Sequence, residues 1–432
     1  MEGWKVGRLG ELSRLTVSGC GPFVLSSMST DLVSRLRGVL EDCLPEALGW
    51  LERMVGINSF STHPAGVNEV GRVTAECFAE LGFTAESVPS TDAAYGAHLF
   101  LQRNAGAGRR VLLVTHLDTV YPAEEEVRNG FRWEPVPGEG RIYGPGTVDI
   151  KGGTVLIWML LQALRECAPQ VYESTHWIFA ADASEEVMSA DFARRTAERC
   201  VGGVDAVLVF EGGPREDGVW HLVTSRKGRA EYRISAEGRA AHAGSAHGAG
   251  INAVVGLCEA VPRAAALTNY GAGLTVNVGS FAGGTVTNRV PHEAYAELEM
   301  RAFDPEVLKA AGDAVMALSG TAANGTRITT ACLGTTPAWP NDAATHTLHQ
   351  RWEAAAAKLG MRVKSVPRGG LSDANYLCHL GPTLDGLGPS GGNAHCSERS
   401  ADGSKLPEYV DVDSFAPKAL LNAVALVEML GA

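Results

Sequence analysis

Five short segments carry side chains able to hold a metal ion or move a proton. They are His116-Leu117-Asp118, Asp149 within Gly144-Pro145-Gly146-Thr147-Val148-Asp149-Ile150-Lys151-Gly152-Gly153, Ser184-Glu185-Glu186, Glu211-Gly212-Gly213, and Gly391-Gly392-Asn393-Ala394-His395. His-x-Asp at the end of a strand puts both side chains on one side of the chain, where imidazole can ligate a metal and the carboxylate can hold its second nitrogen. Asp149 follows a tight glycine path and precedes a helix. It reads either as a helix cap or as a carboxylate bridging two metals. Of two adjacent Glu residues, one can ligate while its neighbour takes a proton from water. The ordinary alternatives are a solvated acidic pair and, for Glu211 and His395, surface or loop residues. The order of the five segments, each at a strand end or in a glycine-rich loop, carries more information than any one of them.

The elements that must position these residues are legible around them. Val111–Val114, Trp177–Ala180 and Val207–Phe210 are short all-apolar runs, as buried parallel strands are. Each delivers His or acidic residues at its C-terminal end, where open α/β sheets place their sites. Helical spacing predicts a helix over 31–56, broken by Pro45, another over 67–81, an apolar one over 152–167, and later ones over 345–359 and 414–430. From about residue 226 the texture becomes alternating. Strands at 229–237, 273–281, 292–302 and 326–332, with helices at 252–266 and 304–319, give the ferredoxin-like order β-α-β-β-α-β. The expected fold is therefore α/β with a mostly parallel central sheet and an inserted ferredoxin-like domain. Its boundaries are a catalytic part at 29–225, the insertion at 226–335 and a second catalytic part at 336–432.

The 432 residues include 37 Lys and Arg against 49 Asp and Glu, a net charge of −12. Such a balance disfavours a nucleic-acid binder, which needs clustered cations for phosphate. No apolar run is long enough to span a membrane. Nine scattered cysteines without a C-x-x-C pair read as reduced thiols in a cytoplasmic protein, not as a disulfide framework or a cysteine zinc site. Val17-Ser18-Gly19-Cys20 looks like a lipoprotein box, but the charged segment before it lacks an apolar core. Residues 1–28 read as a disordered extension, with Met28 an alternative start.

With these motifs in place, the sequence resembles the dinuclear zinc amidohydrolases that include glutamate carboxypeptidase of the carboxypeptidase G type, aminoacylase, acetylornithine deacetylase and succinyl-diaminopimelate desuccinylase. The resemblance spans about residues 30–432. It implies two zinc ions per subunit, with cobalt or manganese compatible with the same donors. One zinc would take His116, Asp149 and Glu211, the other Asp149, Glu186 and His395. Asp118 would support His116, and Glu185 would be the general base. The inserted domain would be a lid and dimerisation domain. His242, in Ala240-Ala241-His242-Ala243-Gly244, would reach the partner subunit's site to stabilise an oxyanion. Asn288 and Arg301 would contact the substrate near a carboxylate; a surface location on a strand is their plain alternative. Ser184 stands where the family often has Asp. Cys396, beside His395, reads as a small buried residue rather than a support for the metal ligands or a competing ligand, and His63 and His247 fit no motif.

The implied reaction is hydrolysis of an amide bond next to a C-terminal amino acid, in an N-acyl amino acid or folate-like substrate, by a homodimer. Deacylation of a small N-acyl amino acid is the alternative within the family. A non-catalytic zinc scaffold is the alternative outside it, and Glu185 argues against that, since it serves the chemistry and not the metal.

Overall fold

A computed structural model describes residues 30–431. The extension expected at 1–28, with Cys20 and Met28, lies outside the described residues. Three parallel strands form the centre of a six-stranded sheet: β1 (Arg109–His116), β2 (Thr175–Asp182) and β3 (Ala206–Val209). The sheet order is Thr84–Pro89, Ala97–Arg103, β2, β1, β3, Thr383–Leu384. The first two strands run antiparallel, so the sheet is parallel at its centre and at the Thr383–Leu384 edge only. The apolar runs are continuous because both faces are covered. Leu113 packs into the core built by the helices Thr30–Val55, Lys151–Cys167 and Phe415–Leu430. Leu112 and Val114 face the other core, with Phe192 and Leu377.

The first helix does not break at Pro45 but runs through it from Thr30 to Val55. A helical proline frees the carbonyl four residues back, here that of Glu41. Pro45 and Glu41 are both exposed, so water can satisfy that carbonyl.

Strand register sets the site. His116 pairs with Asp182, and Val114 with Val209. Glu211, two residues past Val209, is therefore level with His116. The Ser184–Glu186 segment leaves the neighbouring strand at the same edge. The helix Lys151–Cys167 presses against this edge. A Cβ on Gly153 would lie 2.1 Å from the carbonyl oxygen of Phe210, so only glycine permits the approach that brings Asp149 beside Glu211.

The inserted layer is a sheet of β4 (Gly228–Glu237), β5 (Thr275–Gly283), β6 (Glu293–Ala302) and β7 (Arg327–Thr336), in the order β5-β6-β4-β7 with the short strand Gly320–Thr321 beyond β7. The helices Ala253–Ala265 and Pro305–Met316 cover one face and close a separate core with Ile234, Leu257, Met300 and Val315. The α/β fold with an inserted ferredoxin-like layer is thus the architecture the sequence predicts. The two connections to this layer lie side by side. Arg226 and Trp339 exchange backbone hydrogen bonds of 2.9 and 3.0 Å, and the buried Asn375 side chain donates to the carbonyls of both Lys227 and Pro337.

Candidate metal centre

Asp149 lies at the middle of the site. Its Oδ1 is 3.0 Å from His116 Nε2, and its Oδ2 is 3.4 Å from His395 Nε2. Each imidazole has a second carboxylate of its own: Glu211 at 3.8 Å from His116, and Glu186 at 3.1 Å from His395. The donor atoms of His116, Asp149 and Glu186 all fall within 4.8 Å of one another. His116 is buried and His395 exposed, so the site has a floor at His116 and a mouth at His395.

Asp118 organises the floor. The Nδ1 of His116 is 3.1 Å from the Asp118 backbone carbonyl, which can only accept. Nδ1 therefore carries a hydrogen; Nε2 donates to Asp149 Oδ1 when the ring is protonated, and in the neutral ring its lone pair is the one left for a metal. The Asp118 carboxylate accepts from Ser61 Oγ at 2.5 Å and from the backbone N–H groups of Glu185 and Glu186 at 3.1 and 3.3 Å. One side chain thereby fixes both the histidine and the Glu pair. Ser184 is buried, and its N–H donates to Asp182 at 2.9 Å.

The electrostatics call for a cation. Burial pushes Glu185 well above the usual carboxylate range; His116 opposes this, while Glu211, Glu186 and Asp149 add to it. Burial and the Asp149 charge do the same to Glu211, and they raise Glu186 to about 7. Burial favours a neutral Asp149 too, but hydrogen bonds from His116 and His395 outweigh it and hold that carboxyl low. Burial likewise opposes charge on His116, yet its bonds to Asp118 and Asp149 raise it well above the ordinary imidazole value. The bonds to Asp149 and Glu186 bring His395 up to about 11. Carboxylates crowded against imidazoles, all nitrogen and oxygen donors with one carboxylate between two histidines, fit a metal cofactor.

Comparison with known proteins agrees with this geometry. Residues 224–326 match the peptidase dimerisation domain of the M20 peptidases. Carboxypeptidase G2 of Pseudomonas sp. (strain RS-16) is 27% identical over 399 residues, covering 90% of each chain. The chain is thus similar to the M20 peptidases, through its inserted domain and through a relative that covers most of its length. Solved peptidase structures share its fold. The aminopeptidase PepT of Bacillus cereus superposes with a TM-score of 0.72 at 22% identity, over 90% of this chain and 99% of that one. A dinuclear metal-binding M20 peptidase of Bacillus subtilis, YxeP, gives 0.65 at 15% identity, over 90% and 99%. The chain is a hydrolytic enzyme, and the matched domain points to a homodimer. No helix among the described residues is long and apolar enough to cross a membrane.

The three residues expected in the lid do not lie together. His242 and Asn288 are neighbours: the Ala243 N–H donates to the Asn288 carbonyl at 3.0 Å, and His242 bridges to Arg289. Arg301 lies near the far end of β6 from them. From Glu293 to Arg301 is eight residues, roughly 26 Å of extended strand. There Arg301 pairs with Glu299 at 2.7 Å and donates to the carbonyl of Gly369 at 2.9 Å. Asn288 and Arg301 of one subunit thus cannot grip the same small group.

Asp373 is a neighbour of the site that the sequence reading missed. It is buried in the loop that follows Gly369, and burial, then Asp182 and Glu185, lift its carboxyl well above the usual range. Its only sequence signal is an acidic residue in a loop before a short helix. Cys396 is partly buried, its Sγ near the Glu398 carbonyl rather than a ligand-bearing side chain.

Proposed function

We propose that this protein hydrolyses the amide bond next to a C-terminal amino acid in an N-acyl amino acid or folate-like substrate, using two zinc ions. The observation that carries this reading is the Asp149 carboxylate, whose two oxygens face two different histidines, each with its own glutamate. His116, Asp149 and Glu211 would hold one ion, and Asp149, Glu186 and His395 the other. Bound there, the ions supply Lewis acidity for activating water and polarising the scissile carbonyl.

The chain's own residues do the rest. Glu185 is buried beside the ligands in an environment that favours its protonated form, as a group that must accept a proton and return it to the leaving amine requires. The Nδ1 of His242 accepts from the Gly244 and Ser245 N–H groups, both at 3.1 Å. That leaves its Nε2–H as a donor for an oxyanion. Arg301 rests on the Gly369 carbonyl, at the head of the loop that leads to Asp373, so it would serve the site of its own subunit, its Nε and Nη2 passing from Glu299 to the substrate carboxylate. His242 and Asn288, at the other end of the lid sheet, serve the partner's site.

Metal counting by native mass spectrometry is expected to find two ions per subunit at saturating zinc. Kinetics with zinc or cobalt should favour N-acyl-glutamate over acetylornithine and N-succinyl-diaminopimelate. Preference for acetylornithine would move the assignment to the deacylases, and fewer than two ions would sink the two-metal reading.

A further inference from the structure

We propose that Glu408 is the positioning residue that fixes Asp149 and His395 relative to each other, and so sets the spacing of the two metal positions. The proposal rests on the two-metal reading above. Glu408 is completely buried, yet it forms no ion pair among the described residues. Its carboxylate is instead met by four donors. Oε1 accepts from the backbone N–H groups of Val148 at 2.8 Å and Asp149 at 3.0 Å. Oε2 accepts from Tyr121 Oη at 2.9 Å and the Gly146 N–H at 3.2 Å. Three of the four partners are backbone N–H groups, which can only donate, so Glu408 meets the loop as an acceptor at both oxygens.

Three backbone amides of one loop converge on one carboxylate because the loop turns at Gly146, whose φ of +77° lies in the left-handed region. The last of those amides belongs to Asp149 itself. Holding it fixes where the Asp149 side chain starts and hence where its two oxygens point. The main chain of Glu408 reaches the other half of the centre. Its N–H donates to the carbonyl of Cys396 at 2.7 Å, and its carbonyl accepts from the Gly144 N–H at 3.2 Å. Cys396 adjoins His395, which sits at a φ of +65° that non-glycine residues seldom adopt. Such a conformation persists only where its surroundings impose it. Glu408 therefore ties the Asp149 loop to the His395 turn through one residue. Groups that orient metal ligands in this indirect way typically change metal affinity by 10–100-fold when removed.

The test uses the full-length protein and zinc in competition with a chromophoric chelator, with Leu426→Ala as a control. Leu426 is buried in the C-terminal helix among core side chains, and its truncation lowers stability without touching the site. Glu408→Gln keeps the size of the side chain but turns one acceptor into a donor that must face at least one backbone N–H. It is expected to lose about 10–100-fold in zinc affinity beyond any control loss at matched melting temperature, and to shift the visible absorption of the cobalt-loaded protein. Tyr121→Phe removes one of the four donors and keeps the carboxylate. A smaller loss in the same direction is expected of it, and it decides the question if Glu408→Gln does not fold. Zinc affinity and cobalt spectrum equal to the control in Glu408→Gln, or unchanged in Tyr121→Phe, would overturn the proposal while wild type still binds two ions. Wild type binding fewer than two would overturn the metal reading, and this proposal with it.

Discussion

At the scale of single residues, the candidate metal site was legible because ligand chemistry restricts residue types and strand ends restrict places. His116, Asp149, Glu186, Glu211 and His395 converge as their motifs implied, and Asp118 supports the floor. Glu185 differs from them in one respect: the reading gives it a proton rather than a metal. Glu185→Gln is accordingly expected to bind both ions with unchanged affinity and to lose about 10²–10⁴-fold in kcat, measured on the same zinc-loaded preparation. Full turnover with two ions bound would remove Glu185 from the mechanism. Glu408 and Asp373 were not legible, and the reason is physical. Glu408 sits in Leu406-Pro407-Glu408-Tyr409, which resembles any polar loop. Its partners at Val148 and Asp149 are some 260 residues away, and nothing local records that they donate to it.

At the scale of elements, what was legible is what has an apolar pattern. The central strands are buried on both faces, and the lid strands β4 and β6 alternate buried and half-exposed positions. Thr84–Pro89 and Arg362–Arg368 went unread because they lie at sheet edges with almost no buried side chain, the second containing Pro367. The C-terminal helix was read, but not the charge inside it. Lys418 is completely buried, with its Nζ 5.0 Å from the Trp220 ring centroid and without a hydrogen-bond partner. Burial lowers its ammonium to about 7, and Asp385 opposes that shift only in part. The unfolded chain keeps this lysine charged up to about 10.4. Between pH 7 and that value the unfolded state binds more protons, so the contribution of Lys418 to stability improves as pH rises. Below pH 7 the full cost of burying the charge remains. Lys418→Met should thus be more stable than wild type by about 2–4 kcal/mol at pH 6. That advantage should fade towards pH 10 in urea-unfolding curves. A pH-independent difference would show that the ammonium is solvated in the folded protein.

At the scale of the molecule, the separation of His242 from Arg301 along β6 has a consequence for catalysis. If His242 serves the partner's site, no subunit is complete alone, and two differently damaged subunits can repair each other. Take His242→Ala and Glu185→Gln proteins, each inactive as a homodimer, and let them exchange subunits freely. In a heterodimer, the His242→Ala subunit keeps its own Glu185 and receives an intact His242 from its partner, so its site is whole. The other site carries both lesions. Random exchange makes about half of the dimers mixed, and one site in two of those is active, so about a quarter of wild-type turnover should return. If His242 acted within its own subunit, every site in the mixture would carry a lesion and nothing would return. The two arrangements therefore differ between a quarter and zero, a difference that survives even slow exchange when the fraction of mixed dimers is measured by native mass spectrometry. Activity proportional to that fraction places the histidine across the interface. Its absence at a known mixed fraction returns His242 to the lid of its own subunit and leaves the dimer without a role in the chemistry.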